Sequence, residues 1–346
     1  MPARHCFVIF ALISALLSPV AAIARPSAGS PELSGKNLVD IGGGRRMNIV
    51  CIGQGSPTIV FDYGMGEHIL VWQKVQEPVS AITRACFYDR SGYGFSDPSN
   101  RPMTADSVTD DLHALLHAAG ITGPLVLVGH SLGGLYATLY TDKFPSQVAG
   151  LVLIDPSFAG QEPAAWGADE KQRIKPEFER LLTNTKACAD LARAGKLSQS
   201  DSHGCFQLAP VRTPAEIAYL KQSFLKPFRY ESAISEAESH SALATGRNED
   251  GLEEERAARP FGDRTVIVLT GSVYPPDPYE TPQMQQTFYD NWKAGHRQLA
   301  ARSTRGQSIV VSQAGHAIQL DQPQQVIDAI KTVVLDVRTR KRDQGH

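Results

Sequence analysis

The stretch that most constrains this chain is Leu125–Gly134, where an apolar run, Leu125 to Val128, empties into Gly129-His130-Ser131-Leu132-Gly133-Gly134. A helix-compatible run, Leu135 to Tyr140, begins just beyond it. Buried strand, sharp turn and helix follow one another with almost no connecting residues, an arrangement that holds a serine at the apex of a strained turn. Neighbours without side chains make room there, both for the packing of the helix and for the approach of a ligand. Ser131 is therefore a candidate nucleophile.

The rest of the chain alternates apolar strands with amphipathic helices. Asn37 to Ile41 and Arg46 to Ile52 form a predicted strand pair around a Gly42-Gly43-Gly44 turn. Pro57 to Asp62, Ala85 to Tyr88, Val148 to Ile154, Thr265 to Leu269 and Ser308 to Val311 are further strands. Their continuous Val, Ile and Leu content marks a mostly parallel sheet buried on both faces. Residues 68–82 carry apolar residues at helical spacing, with a break expected at Pro78, and Thr104 to Ala119 forms one clear apolar helix face stopped by Gly120. Residues 157–262 are rich in Lys, Glu, Ala and Gln and hold no strand-like run, which predicts a helical cap inserted into a core of residues 25–156 and 263–337. The basic stretch from Arg338 onward is expected as a flexible tail, 338–346.

Residues 1–24 have the pattern of a cleaved leader. Arg4 and His5 precede the apolar run Phe7 to Leu17, and Ala22-Ile23-Ala24 forms a small-residue cleavage site. That run is shorter than the roughly 20 residues needed to cross a bilayer, so no membrane span is expected after processing. Export, to a periplasm or the extracellular space, predicts an oxidising compartment. Past the leader the chain keeps an even set, Cys51, Cys86, Cys188 and Cys205, which permits three pairings. Two of these cysteines lie in strand runs and two in the later polar region, favouring Cys51 with Cys86 and Cys188 with Cys205.

Three segments in order, GHSLGG at Gly129 to Gly134, DRSGYGFSD at Asp89 to Asp97 and AGHAIQLD at Ala314 to Asp321, resemble the α/β-hydrolase superfamily. The resemblance covers about Asn37 to Val334 except the cap. It implies an α/β-hydrolase fold: a mostly parallel central sheet flanked by helices, with a helical cap insertion. It sets the second and fourth strands side by side, which supports the Cys51–Cys86 pair, and it implies a Ser, acid, His order along the chain. His316, in a Gly-flanked loop after the last strand, fits as general base, whereas His130 inside the turn is expected to be structural. Two carboxylates compete for the acid. Asp155 ends the strand that follows the nucleophile helix, where some family members place it, and is preferred. Asp277 follows the penultimate strand but departs from the usual Gly-x-x-Asp spacing. The oxyanion hole is expected from the N–H groups of Leu132 and of Met65, in the loop Asp62 to Gly66. Asp62 is expected to brace that loop, and Asp89 and Arg90 to scaffold the site.

The formal charge of −2 on 346 residues gives no electrostatic reason to expect nucleic acid. No pattern suggests a metal, flavin or nucleotide cofactor. The expected activity is ester hydrolysis on a small-molecule substrate through an acyl-enzyme. Amide, peptide or carbon–carbon hydrolysis, acyl transfer and a catalytically silent binding module remain alternatives.

Overall fold

A computed structural model of the chain describes residues 33, 35, 37–162, 168–197, 204–205, 213–275 and 281–343. The expected leader, 1–24, and the alternative candidate acid, Asp277, lie outside the described residues. One sheet contains β1 (Leu38–Asp40), β2 (Arg46–Ile52), β3 (Thr58–Asp62), β4 (Ala85–Tyr88), β5 (Leu125–His130), β6 (Val148–Ile154), β7 (Gly262–Gly271) and β8 (Ser303–Val311), in the order β1-β2-β4-β3-β5-β6-β7-β8. β2 pairs antiparallel with β1 and β4, and every other pairing is parallel.

Strand side chains alternate between faces, so the sheet builds two cores. Phe61, Val126, Val128, Val152 and Ile154 pack against Val326, Ile330 and Val333 of the last helix, Pro323–Asp343. On the opposite face Val60, Leu125, Leu127, Leu151 and Leu153 meet Leu112, Leu115 and Leu116 of Ala105–Ala118 and Tyr140 of Leu132–Lys143. In chain order the helices are α1 (Gln76–Ser80), α2 (Ala105–Ala118), α3 (Leu132–Lys143), α4 (Ala168–Arg193), α5 (Pro214–Phe224), α6 (Pro227–His240), α7 (Ala242–Thr245), α8 (Glu249–Ala257), α9 (Pro282–Ala301), α10 (Ile318–Asp321) and α11 (Pro323–Asp343). Helices α4 to α8 all fall between β6 and β7, which are neighbours in the sheet, and the described residues there include no strand. The insertion therefore leaves the sheet continuous.

Cys51 lies directly opposite Cys86 in the β2–β4 register and is bonded to it, and Cys188 at the end of α4 is bonded to Cys205. Three expectations need correction. Residues 338–343 are helical, not a loose tail: Arg338 donates to the carbonyls of Ser56 and Ile82, and Arg340 to that of Asp263, so these basic side chains dock the last turns of α11 on the core. The break in residues 68–82 comes before Pro78, between a 3₁₀ turn at Ile69–Trp72 and α1, because proline is tolerated in the first turn of a helix. β8 begins five residues earlier than its apolar run, since its exposed first half needs no apolar side chains.

Because β3, β5, β6, β7 and β8 run parallel, their C-terminal ends share one edge of the sheet. The loops after these strands carry the candidate site.

Candidate active site

Ser131 is the one-residue hinge between β5 and α3, and its backbone is held at φ 53°, ψ −123°. Neighbouring glycines make that turn possible by contact, not by flexibility. A side chain on Gly129 would meet the Gly133 carbonyl at 2.3 Å, and one on Gly133 would meet the Tyr63 carbonyl at 2.6 Å. The turn is tied down by backbone bonds from Ser131 N–H to the Ile154 carbonyl at 3.0 Å and from Ser157 N–H to the Ser131 carbonyl at 2.9 Å. Ser131 itself stays partly exposed.

Asp155, the residue after β6, is fully buried and also adopts a positive φ, 44°. Its two oxygens are used differently. Oδ1 accepts from Gly271 N–H at 3.0 Å, Tyr274 O–H at 2.6 Å and Trp292 Nε1–H at 3.1 Å, whereas Oδ2 lies 2.6 Å from His316 Nδ1. Burial opposes ionisation of this carboxyl, but the hydrogen bond and charge of His316 outweigh it and hold the group at about 2. A carboxylate with three fixed donors behind it is a rigid anchor for the imidazole in front of it. His316 Nδ1 is thereby committed, which leaves Nε2 as the nitrogen able to take a proton. The imidazole is 23% exposed, and no hydrogen bond to Ser131 is formed among the described residues.

The loop after β3 is held from several sides. Tyr63 N–H donates to Asp62 Oδ1, Gly64 N–H to Glu67 Oε2, Gly66 N–H to Glu236 Oε2 and Glu67 N–H to the Gly64 carbonyl. From Tyr63 to Glu67, only the Met65 amide donates to no acceptor among the described residues. Leu132 begins α3, so its N–H has no intrahelical acceptor either. The two loops abut: a side chain on Gly64 would come within 3.1 Å of Ser131 Cβ. Beneath them lies Arg90, fully buried, which donates to Asp62 Oδ1 at 2.9 Å and to the carbonyls of Tyr63 and Gly64 at 2.6 and 2.7 Å. Asp62 and Arg90 thus brace this loop.

Asp89 occupies the scaffold in a similar way. It is fully buried, and its oxygens accept from Tyr219 O–H, Asn48 Nδ2–H and Phe95 N–H. Burial pushes its carboxyl up to about 6, with Tyr219 pulling the other way.

Several participants carry no sequence signal. Tyr274 and Trp292, which complete the Asp155 shell, sit 119 and 137 residues downstream of it. Glu236 and Arg229 reach the β3 loop from α6, where Glu236 also pairs with Arg90 Nε at 2.9 Å and Arg229 donates to the Gly66 carbonyl. Within the insertion Phe224 and Tyr230 are buried, and Tyr230 O–H donates to the Phe224 carbonyl, so both hold the insertion together.

An eight-stranded sheet of this order, with its functional candidates on loops at the parallel strands' C-terminal edge, defines an α/β protein of the hydrolase type. The chain belongs to the alpha/beta hydrolase fold family, whose model matches residues 57–323. Lipase LipV of Mycobacterium tuberculosis (strain ATCC 25618 / H37Rv) is 38% identical over 105 residues, 30% of this chain and 39% of that protein. The chain spans only 15% to 47% of the length of the curated relatives of uncharacterised function that it also matches. Among solved structures, a thermophilic esterase from Thermogutta terrifontis superposes with a TM-score of 0.55 at 21% identity, covering 87% of this chain and 97% of that one. The haloalkane dehalogenase DatA from Agrobacterium tumefaciens C58 superposes with a TM-score of 0.63 at 15% identity, covering 87% and 96%. At these identities the likeness establishes the fold.

Proposed function

We propose that this chain is an exported serine hydrolase acting on small-molecule carboxylic esters. The observation that carries the reading is the buried Asp155 carboxylate 2.6 Å from the partly exposed His316 imidazole, beside a strained, glycine-flanked Ser131. In this mechanism His316 Nε2 takes the Ser131 hydroxyl proton as Oγ attacks the ester carbonyl carbon. The tetrahedral oxyanion forms between the Met65 and Leu132 N–H groups. His316 then returns the proton to the departing alkoxide, leaving an acyl-serine, and water activated by the same imidazole releases the acid. Asp155 holds the His316 tautomer and stabilises the imidazolium without becoming protonated. A serine at the elbow argues against the aspartyl-ester chemistry of dehalogenases and epoxide hydrolases. The esterase and lipase names among similar proteins support an ester as the first substrate to try. Two disulfides support export, to a periplasm or the extracellular space.

The test is to treat the purified protein with a fluorophosphonate, map the adduct by peptide mass and assay short-chain and long-chain p-nitrophenyl esters. Labelling confined to Ser131, with turnover abolished in Ser131→Ala, is the expected outcome. A folded protein that neither labels nor turns over ester refutes the reading.

A further inference from the structure

His130, expected from the sequence to be merely structural, stands between the two loops that the proposed mechanism relies on. Its ring is fully buried, and each nitrogen faces an acceptor: Nδ1 lies 2.9 Å from Glu67 Oε2, and Nε2 lies 3.0 Å from the carbonyl oxygen of His316. A carbonyl can only accept, so Nε2 must carry a proton. An ionised Glu67 requires a second proton on Nδ1. The same Glu67 oxygen accepts the Gly64 N–H at 2.7 Å, one residue before Met65.

We propose that the partly exposed Glu67 and the buried His130 form a carboxylate–imidazolium pair that positions the oxyanion loop and the backbone of His316 as one unit, making both of them positioning residues. The inference rests on the serine-hydrolase reading above. Three further groups face the His130 ring. The His316 ring is 4.7 Å away between centroids, the Trp72 ring lies at right angles with its centroid 6.5 Å away, and the Asp155 charge also favours the cation. Burial opposes a charged His130, but Glu67 outweighs it and raises the imidazole above its ordinary value. For Glu67 burial again opposes the charge, yet the His130 cation and the Gly64 N–H hold the carboxyl down to about 2.

A pH signature follows. When alkali removes one His130 proton, the remaining one is needed by the His316 carbonyl, and Nδ1 then presents a lone pair to Glu67. The pair is lost and both loops lose their shared tether. A Ser-His-Asp site without such a tether holds its rate on the alkaline side once its base is neutral. This one should fall again, giving a bell.

The experiment measures kcat and KM for p-nitrophenyl acetate against pH in the full chain, in Glu67→Gln and in Glu67→Asp. ¹⁵N-histidine NMR of the wild-type protein at pH 7 accompanies it, with His130 assigned by the resonances lost in His130→Gln. We expect both His130 nitrogens protonated and a bell-shaped wild-type profile. In Glu67→Gln, kcat should fall about 10- to 100-fold with KM changed less than about twofold, and the alkaline limb should flatten. Glu67→Asp should recover part of the rate. A neutral His130 at pH 7, a flat wild-type alkaline plateau or an unchanged kcat in Glu67→Gln each overturns the proposal. Should Glu67→Gln fail to fold, the wild-type profile and the NMR still decide. Failure of the parent reading looks different: no fluorophosphonate adduct on Ser131 and no ester turnover, whatever the state of His130.

Discussion

Both Asp155 oxygens are taken up in hydrogen bonds, three on Oδ1 and that of His316 on Oδ2, and its removal should be read in the rate. Replacing it with Asn keeps the shape but offers His316 Nδ1 a donor where it needs an acceptor, so the imidazole adopts the wrong tautomer. Asp155→Asn is expected to lower kcat at least about a hundredfold, with Asp277→Asn within about threefold of wild type, in parallel steady-state assays. The reverse ranking would transfer the role to Asp277. Ser131 was legible because glycines on both sides of a serine, wedged between an apolar strand and a helix, fit little besides a strained elbow, and His316 because its loop follows the last strand. Asp155 could be singled out only as one of two candidates, since the donors that surround its carboxylate, Tyr274 and Trp292, are brought in by tertiary contacts across more than a hundred residues. The unusual spacing after β7 has a physical counterpart: Tyr274 from that loop is spent on Asp155.

Helix α6 shows that the insertion is more than a cover. Glu236, fully buried, joins Arg90 beneath the β3 loop and accepts the Gly66 N–H, while Arg229 holds the Gly66 carbonyl. Truncating Glu236 to Ala leaves Arg90 with only part of its counter-charge and should destabilise the fold by about 3–5 kcal/mol, measured by urea unfolding. A loss under about 1 kcal/mol would mean that Asp62 alone compensates Arg90. No periodicity in residues 227–240 announces this, because a buried carboxylate on a helix is indistinguishable in sequence from a solvated one. Element existence was readable wherever burial imposed an apolar pattern, as in β3, β5 and β6. It failed where burial was partial: the polar start of β8 and the basic end of α11 are ordered by pairing and by arginine–carbonyl bonds, which leave no hydrophobic trace.

At the scale of the whole molecule, these buried ionised groups give stability a window in pH. Asp155 has an ordinary value of 3.8 and is held at about 2 in the fold, so the folded state favours its charged form. That contribution is present in full above the unfolded value and is lost as pH falls through about 2. A depression of this size corresponds to about 2 kcal/mol. Glu67, also held at about 2, acts in the same direction on the acid side. His130 works with the opposite sign: its folded value is raised above the ordinary 6.5, so its contribution is complete below that value and fades as pH rises through the raised one. The combined contribution of Asp155, Glu67 and His130 to the urea midpoint, read as wild type minus variant, should therefore be largest between about pH 5 and the ordinary histidine value and decline on both sides, whereas Asp89, with its carboxyl pushed up to about 6, fades as pH rises from 3.8 and does so equally in every variant compared. Asp155→Asn should flatten chiefly the acid flank, because the substituted side chain no longer titrates, with a smaller loss on the alkaline flank because the Asp155 charge also favours the His130 cation, while Glu67→Gln should flatten both flanks by removing the carboxylate and the reason for His130 to hold its second proton. An acid flank as steep in Asp155→Asn as in wild type would assign the loss to other carboxylates. An alkaline flank unchanged in Glu67→Gln would mean that His130 does not carry its charge in the folded protein, and the link between the two loops would have to be sought elsewhere.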